Sequence, residues 1–479
     1  TIGKLSDAID LYHTNPVLYY VPKQNSLRQF NDEFGDELYM IEERAASGHG
    51  DKASFGFSDN VISTDELLMN LNKNENHILD EETYIKARLF DMLIGDWDRH
   101  EDQWRWAVFK EKKQVVYRPI PRDRDQAFSV FGDGALLNTV TKLVPALRLM
   151  QSYTEELKSP KWFNLEPYPL DMVLISKADK TVWDKQVKLI QDNITDAVIE
   201  EAFTHFPEEV RDETVSIIKR KLQGRRRNLQ IISDDYYNVV NKFQVIRGTQ
   251  KDDWFEIERL QNGQTKITAY TIKKGDKNNV FLERIYNKSE TKEIWIYGLD
   301  DEDNFIVKGG GKNPIKLRLI GGQNNDKYTI LDGKKIIIYD FKSKKNTFKT
   351  KKGRKKLTDD YETNVYDYKK LKNSKNVIIP AIGFNPDDGV KAGFSNIYTA
   401  YGFERNPFTS QHSLSGAYYF ATNGFELDYS SEFANVFGNW NFGVNSTFTS
   451  PNFATNYFGL GNNSSNPEAN GFEEEDHNR

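Results

Sequence analysis

The chain has 479 residues, with 65 Lys and Arg against 71 Asp and Glu, no cysteine, and a net charge of −6; that length predicts about three domains at roughly 150 residues each. Its 38% hydrophobic content excludes a wholly disordered chain, the negative balance argues against nucleic acid as a partner, and the lack of cysteine removes disulfides, thiolate zinc sites and cysteine nucleophiles. No run of about 18 apolar residues is present, so no transmembrane helix is expected, and the opening TIGKLSDAID has neither the basic start nor the apolar centre of a secretory signal.

Residues 1–235 mix helical and strand signals. STDELLMNL (63–71) reads as a capped helix. In EETYIKARLFDMLIGDWDRHEDQW, residues Tyr84, Ala87, Leu89, Phe90, Leu93 and Ile94 recur at helical spacing, and Gly95 is a natural stop. An acidic loop follows, from Asp96 through Asp98, Arg99 and His100 to Gln103. The short strand VVYRPIP then leads to a second acidic loop, Arg122-Asp123-Arg124-Asp125-Gln126-Ala127-Phe128. Two such loops in an α/β context suit phosphoryl transfer. One carboxylate takes or orients the nucleophile's proton, and other oxygens hold Mg²⁺ over the phosphates. Plain loop ion pairs also fit Asp98 with Arg99, and Arg122 and Arg124 with Asp123 and Asp125. His100 also fits a core histidine, and Trp97, Trp104 and Trp106 read as core. GRRRNLQ (224–230) places cations at a helix C-terminus. No HExxH, GxSxG or complete Walker loop is present.

The pair LIGDWDRHEDQW and PIPRDRDQAF resembles the catalytic and metal-binding loops of the atypical kinase-like fold, in its HipA and CotH branches. There, Asp-x-His-x-x-Asn is followed by an Asp-x-Asp-x-x-Phe or Asp-Phe-Gly-like loop. The resemblance covers roughly residues 10–230 and implies a kinase-like α/β domain over 1–235. It would make Asp98 the catalytic base and His100 a brace for the loop. Asp125 would be the main Mg²⁺ ligand, with Asp123 a second, and Gln103 stands where the family has a metal-binding Asn. YMIEERAAS (39–47) resembles the strand and hinge that lead to the C-lobe. No glycine-rich loop is visible, so the N-lobe is expected to be incomplete, with any phosphate-gripping lysine upstream of Thr1. The resemblance leaves two outcomes open, a phosphotransferase using Mg²⁺ and nucleotide, or a pseudokinase.

Residues 240–340 read as a degenerate repeat. Gly248, Gly275, Gly298 and Gly321 are 27, 23 and 23 residues apart, and Phe255, Phe281, Phe305 and Tyr328 are 26, 24 and 23 apart. A turn before an inward aromatic at such a period suggests stacked β-rungs, an all-β solenoid or β-roll. IGGQNNDKYTI resembles the glycine-rich calcium nonapeptide, with Asn324 where that pattern has Gly. That likeness would make Asp303 and Asp326 ligands to Ca²⁺. Turn chemistry accounts for the same residues better, because Asp and Asn bond their own backbone.

Residues 341–376 read as a basic linker, since positions 342–375 hold 13 Lys and Arg. A solvated tether and an anchor for anionic lipid both fit it. From 377 to 479, only Lys391, Arg405 and Arg479 are basic, and 20 of 103 residues are aromatic. In 424–434, Phe425, Leu427, Tyr429, Ser431 and Phe433 fall on one face, and Glu426, Asp428, Ser430 and Glu432 on the other. Segment 439–449 repeats the pattern, with Asn439 and Asn441 opposite Trp440 and Phe442. Period-two alternation over about 10 residues is expected of an antiparallel transmembrane β-barrel strand, and equally of a soluble sheet with one wet face. Dense aromatics and missing cations favour the barrel. About five strands are visible, against the eight or so a membrane barrel needs. The barrel is therefore expected to continue past residue 479, or the chain is a fragment.

IPAIGFNPDDGVKAGFSNIYTAYGFERNPF, YYFATNGFELDYSSEF and PNFATNYFGLGN resemble the opening of the surface-antigen (BamA/TamA-like) barrels of composite outer-membrane proteins in Bacteroidetes-type bacteria. The resemblance implies a bacterial outer-membrane location with the preceding domains in the periplasm. Its implied partners are outer-membrane lipid and other envelope proteins, in a recruiting or assembly role.

Overall fold

The structure is a computed structural model and describes residues 1–131, 145–206, 208–385, 388–438 and 440–452. Asn439 and the PNFATNYFGLGN segment from residue 453 onward lie outside the described residues. The chain is mixed α/β, with several sheets, and forms two compact units. Among the described residues, one contains those within 1–131 and 149–371, the other those within 145–148 and 372–452.

In the first unit, β1 (Val17–Val21) and β2 (Glu37–Ile41) form an antiparallel two-stranded sheet with Tyr19 opposite Tyr39. The strand expected within 39–47 is the end of β2. A second sheet combines β3 (Val61–Ile62), β4 (His77–Leu79), β5 (Trp104–Glu111) and β6 (Gln114–Pro121) in the order β3-β5-β6-β4. Between its strands runs the helix Thr64–Lys73, started by a capping box. Ser63 Oγ accepts the Glu66 N–H at 3.2 Å, and Glu66 Oε2 accepts the Ser63 N–H at 3.1 Å. The helix Glu81–Ile94 ends at Gly95, whose φ of 80° is left-handed, as a helix C-terminal glycine allows. Every residue from Tyr84 to Ile94 is buried. This helix is therefore a central element, against which the helices Lys180–Asn193, Glu213–Arg227 and Leu229–Asn241 pack.

The chain then shuttles between two sheets. β7 (Phe243–Arg247), β11 (Glu293–Leu299), β13 (Lys316–Gly322), β15 (Ile336–Asp340) and β17 (Arg354–Leu357) stack in parallel in one. β8 (Asp253–Arg259), β12 (Asn304–Gly309), β14 (Lys327–Ile330) and β16 (Thr347–Phe348) stack in parallel in the other. Each rung gives one strand to each sheet, which is a β-roll. Phe255, Phe305, Tyr328 and Phe348 stack along its core at 5.0, 5.1 and 5.1 Å, all within 14° of parallel.

Two expectations need correction here. The Gly275–Phe281 unit is no rung. Gly275 turns the antiparallel hairpin between β9 (Gln264–Lys273) and β10 (Asp276–Asn287), which extends the edge of the β8 sheet. The stretch read as the start of a linker instead carries β16 and β17, the roll's last strands. Its lysines suit an edge strand, which positive charge protects from pairing with other chains.

In the second unit, β18 (Lys375–Asn385), β19 (Gly389–Ala400), β20 (Ser410–Tyr419), β21 (Gly424–Phe437) and β22 (Trp440–Thr449) form one antiparallel sheet in sequence order. Asn423, with φ 52°, closes the turn before β21. The register sorts the faces across the sheet. Pro380, Phe394, Gly416, Leu427 and Phe448 lie side by side on one face. In the adjoining row, Ile379, Ser395, Ser415, Asp428 and Thr447 face the other way. The first face bares large apolar groups: Phe448 is 64% exposed and Ile382 85%. On the other, Thr447 Oγ1 donates to Asp428 at 2.7 Å and Tyr419 Oη donates to Glu426 at 2.8 Å.

Candidate functional site

The structure brings four of the five expected catalytic and Mg²⁺ residues close together. Arg99 joins the two acidic loops. Its buried guanidinium donates to the Gln103 carbonyl at 2.8 Å, and across to the carbonyls of Arg122 and Asp123 at 2.7 and 3.2 Å. With the backbones clamped, Gln103 Nε2 donates to Asp123 Oδ2 at 3.0 Å and lies 3.3 Å from His100 Nε2. The same ring nitrogen is 4.0 Å from Asp98 Oδ1, and both side chains are about one-third open to solvent, at 37% and 32%. Asp98, His100, Gln103 and Asp123 thus form a small polar cluster at the end of the β5–β6 hairpin. Asp125 is exposed and shares no hydrogen bond with them. Asp123 adopts φ 50°, a left-handed conformation that Asp tolerates better than most residues.

An accessible carboxylate beside an imidazole can accept and relay a proton. As oriented, Gln103 turns its amide nitrogen to Asp123, so its oxygen is not presented beside that carboxylate. Among the described residues, no three His, Asp or Glu side chains gather as a metal site.

Arg99 does not pair with Asp98. Its ion pair is with Asp96 at 3.1 Å, and its Nε lies 3.6 Å from Asp91. Behind the loops lies a buried polar network. Arg88 donates to Asp171 at 2.9 and 3.2 Å, to Asp91 at 2.9 Å and to Asn164 at 2.5 Å. Tyr84 donates to Asp171 at 2.7 Å, Tyr236 donates to its other oxygen, and Arg124 donates to Asp91 at 3.0 Å. Three arginines (88, 99, 124) meet three aspartates (91, 96, 171), so the network can balance its charge. Burial works against the Arg88 cation, but Asp171 and Asp91 outweigh it and hold the proton more firmly. Burial also pushes Asp96 up to about 7, against the pull of Arg99 and with the repulsion of Asp91. Asp96 Oδ1 has no hydrogen-bond partner among the described residues.

Sequence reasoning missed this network and a second group, Arg44, Arg105 and Arg122. Burial first, then the nearby Arg122 and Arg44 charges, lower the Arg105 pKa, with Asp102 opposing. Arg122 follows β6 directly, and its N–H donates to the Gln103 carbonyl at 3.0 Å. Its own Nε is buried without a partner among the described residues. These cations lie beside the expected loop, and strand pairing of 103–105 with 120–122 was the signal for them. Lys369, also from the expected linker, pairs with Glu101 at 2.8 Å, next to His100.

In the roll, Asp303 and Asp326 belong to a ladder of buried carboxyls. Asp303 Oδ1 accepts the Asp253 N–H, Asp326 Oδ1 accepts the Asp303 N–H, and Asn346 Oδ1 accepts the Asp326 N–H, each at 2.8 Å. Asp340 takes the next place in the column of Gly248, Gly298 and Gly321 and accepts from Tyr328 Oη at 2.7 Å. These oxygens cap the backbone of neighbouring rungs. Burial pushes Asp253 up to about 7. Burial, then neighbouring carboxylates, raise Asp303 and Asp326 further.

No protein-family model and no curated protein matches this chain.

Proposed function

We propose that this chain belongs to an outer-membrane barrel protein of surface-antigen type, with its kinase-like and β-roll portions in the periplasm recruiting or positioning other envelope proteins. The observation that carries the reading is the face sorting of β18–β22. A sheet with one row of large apolar side chains open to its surroundings and a hydrogen-bonded polar row behind suits hydrocarbon on one side and a wet lumen on the other. Phase separation of the intact protein in a clouding detergent tests this. Recovery in the detergent-rich phase is the expected result, and recovery in the aqueous phase contradicts it.

A second reading, a phosphotransferase using Mg²⁺ and nucleotide, is favoured by the meeting of Asp98, His100, Gln103 and Asp123 beside Arg105 and Arg122. In it Asp98 accepts the nucleophile's proton, His100 braces the loop, and Asp123 and Asp125 supply hard oxygen ligands. The reading predicts that nucleotide with Mg²⁺ raises the melting temperature, and that Asp125→Ala abolishes the rise. A flat response for the unaltered protein argues instead for a pseudokinase. For Ca²⁺ at Asp303 and Asp326, the backbone-capping role predicts that EGTA leaves the stability unchanged.

A further inference from the structure

Between the helical region and the roll lies a cleft of about 70 Å³. Its walls come from β4, from the turn after the helix Tyr168–Leu174, and from β7, β10 and Tyr366. At roughly 10–15 Å³ of such volume per water, the cleft takes a few water molecules or one compact polyatomic group.

Arg247, the last residue of β7, lines this cleft. One guanidinium N–H is used by Asn72 Oδ1, and no carboxylate pairs with Arg247 among the described residues. Burial lowers its pKa, and the one opposing influence is the Tyr366 phenol. Arg247 is half-buried; a partly desolvated guanidinium without a carboxylate is costly, and its planar fork matches an oxyanion. Tyr366 also lines the cleft, and its buried hydroxyl has no hydrogen-bond partner among the described residues. Lys177 stands exposed at the rim. Two carboxylates belong to the same walls. Glu81 is already engaged by the N–H groups of Lys177 and Ala178 at 2.9 and 2.7 Å, and Glu75 makes no ion pair among the described residues.

We propose that this cleft binds a phosphate group, with the Arg247 guanidinium as its principal donor and Lys177 as a second cation at the mouth. The group could be free phosphate or a phosphomonoester, and the cleft size favours a bare phosphoryl end with its substituent directed outward past Lys177. This site is separate from the Asp98–Asp123 cluster and stands whether or not that cluster transfers phosphate.

Titration calorimetry of the full chain in detergent, with inorganic phosphate in one arm and glycerol 3-phosphate in the other, tests the assignment. Saturable binding is expected in at least one arm, and the tighter arm identifies the source. Arg247→Gln should weaken it by about tenfold or more, the worth of one charge-assisted hydrogen-bonding group. Lys177→Gln, at an exposed position, should keep the fold and weaken binding by a smaller factor. Absence of saturable binding in both arms overturns the proposal. So does unchanged affinity in a folded Arg247→Gln protein, or, if that variant does not fold, unchanged affinity in Lys177→Gln.

Discussion

Asp171 shows how single side chains hold this molecule together. It receives Arg88, Tyr84 and Tyr236 from two separate helices, and all four are fully buried. Removing one member leaves charge or polar groups uncompensated in a site closed to solvent. Asp171→Ala should therefore cost about 3–5 kcal/mol in urea unfolding, the range for breaking a buried pair from one side. A loss under 1 kcal/mol or so would mean that the network relaxes or admits water. Gly298 is a second such point. A Cβ there would lie 1.9 Å from Asp303 Oδ2 and 2.4 Å from the Gly321 carbonyl oxygen. Gly298→Ala should destabilise the roll by about 1–3 kcal/mol through overpacking, measured by the same unfolding experiment.

Among the elements, the roll is the one whose stability should follow pH most clearly. Its Asp253, Asp303 and Asp326 carboxyls are raised in the folded state by burial, above an ordinary value of 3.8. A carboxyl raised on folding favours the native state at low pH, fully below its unfolded value. That contribution is lost as pH rises through the folded value, at roughly 1.4 kcal/mol per pH unit for each proton retained. The urea midpoint should fall between pH 5 and pH 8. Asp303→Asn keeps an oxygen for the Asp253 N–H and carries no charge. It should flatten the fall and raise stability at pH 8. A midpoint that instead rises over this window would show the ladder to be ionised.

The same element shows what the sequence could reveal. Gly248, Gly298 and Gly321 mark rungs because close packing against an Asp forbids a side chain there. The spacing also admitted Gly275, because a hairpin turn needs positive φ for a different reason. It missed the fourth rung, where Asp340 replaces the glycine and lysines conceal a strand. The acidic loops were visible as motifs. The network behind them was not, because Arg88 and Asp171 are 83 residues apart and no local period links them.

For the whole molecule, the functional account depends on what touches the apolar face of β18–β22. Alternation was legible in β21 because its apolar and acidic residues take turns without exception from Phe425 to Tyr429. It was weaker in β19 and β20, where Gly393 and Gly416 carry no side chain to mark a face. The register recovers those strands by aligning them with β21. An aqueous sheet would need another layer over groups such as Trp440, 78% exposed, whereas lipid would cover them directly.

Because the chain has no cysteine, single cysteines can be placed and spin-labelled without background at consecutive positions from Phe425 to Tyr429 in the intact protein reconstituted in liposomes. The account predicts collision with oxygen dissolved in the bilayer at 425, 427 and 429, and with a water-soluble nickel chelate at 426 and 428. Equal access of the chelate to all five positions would contradict it.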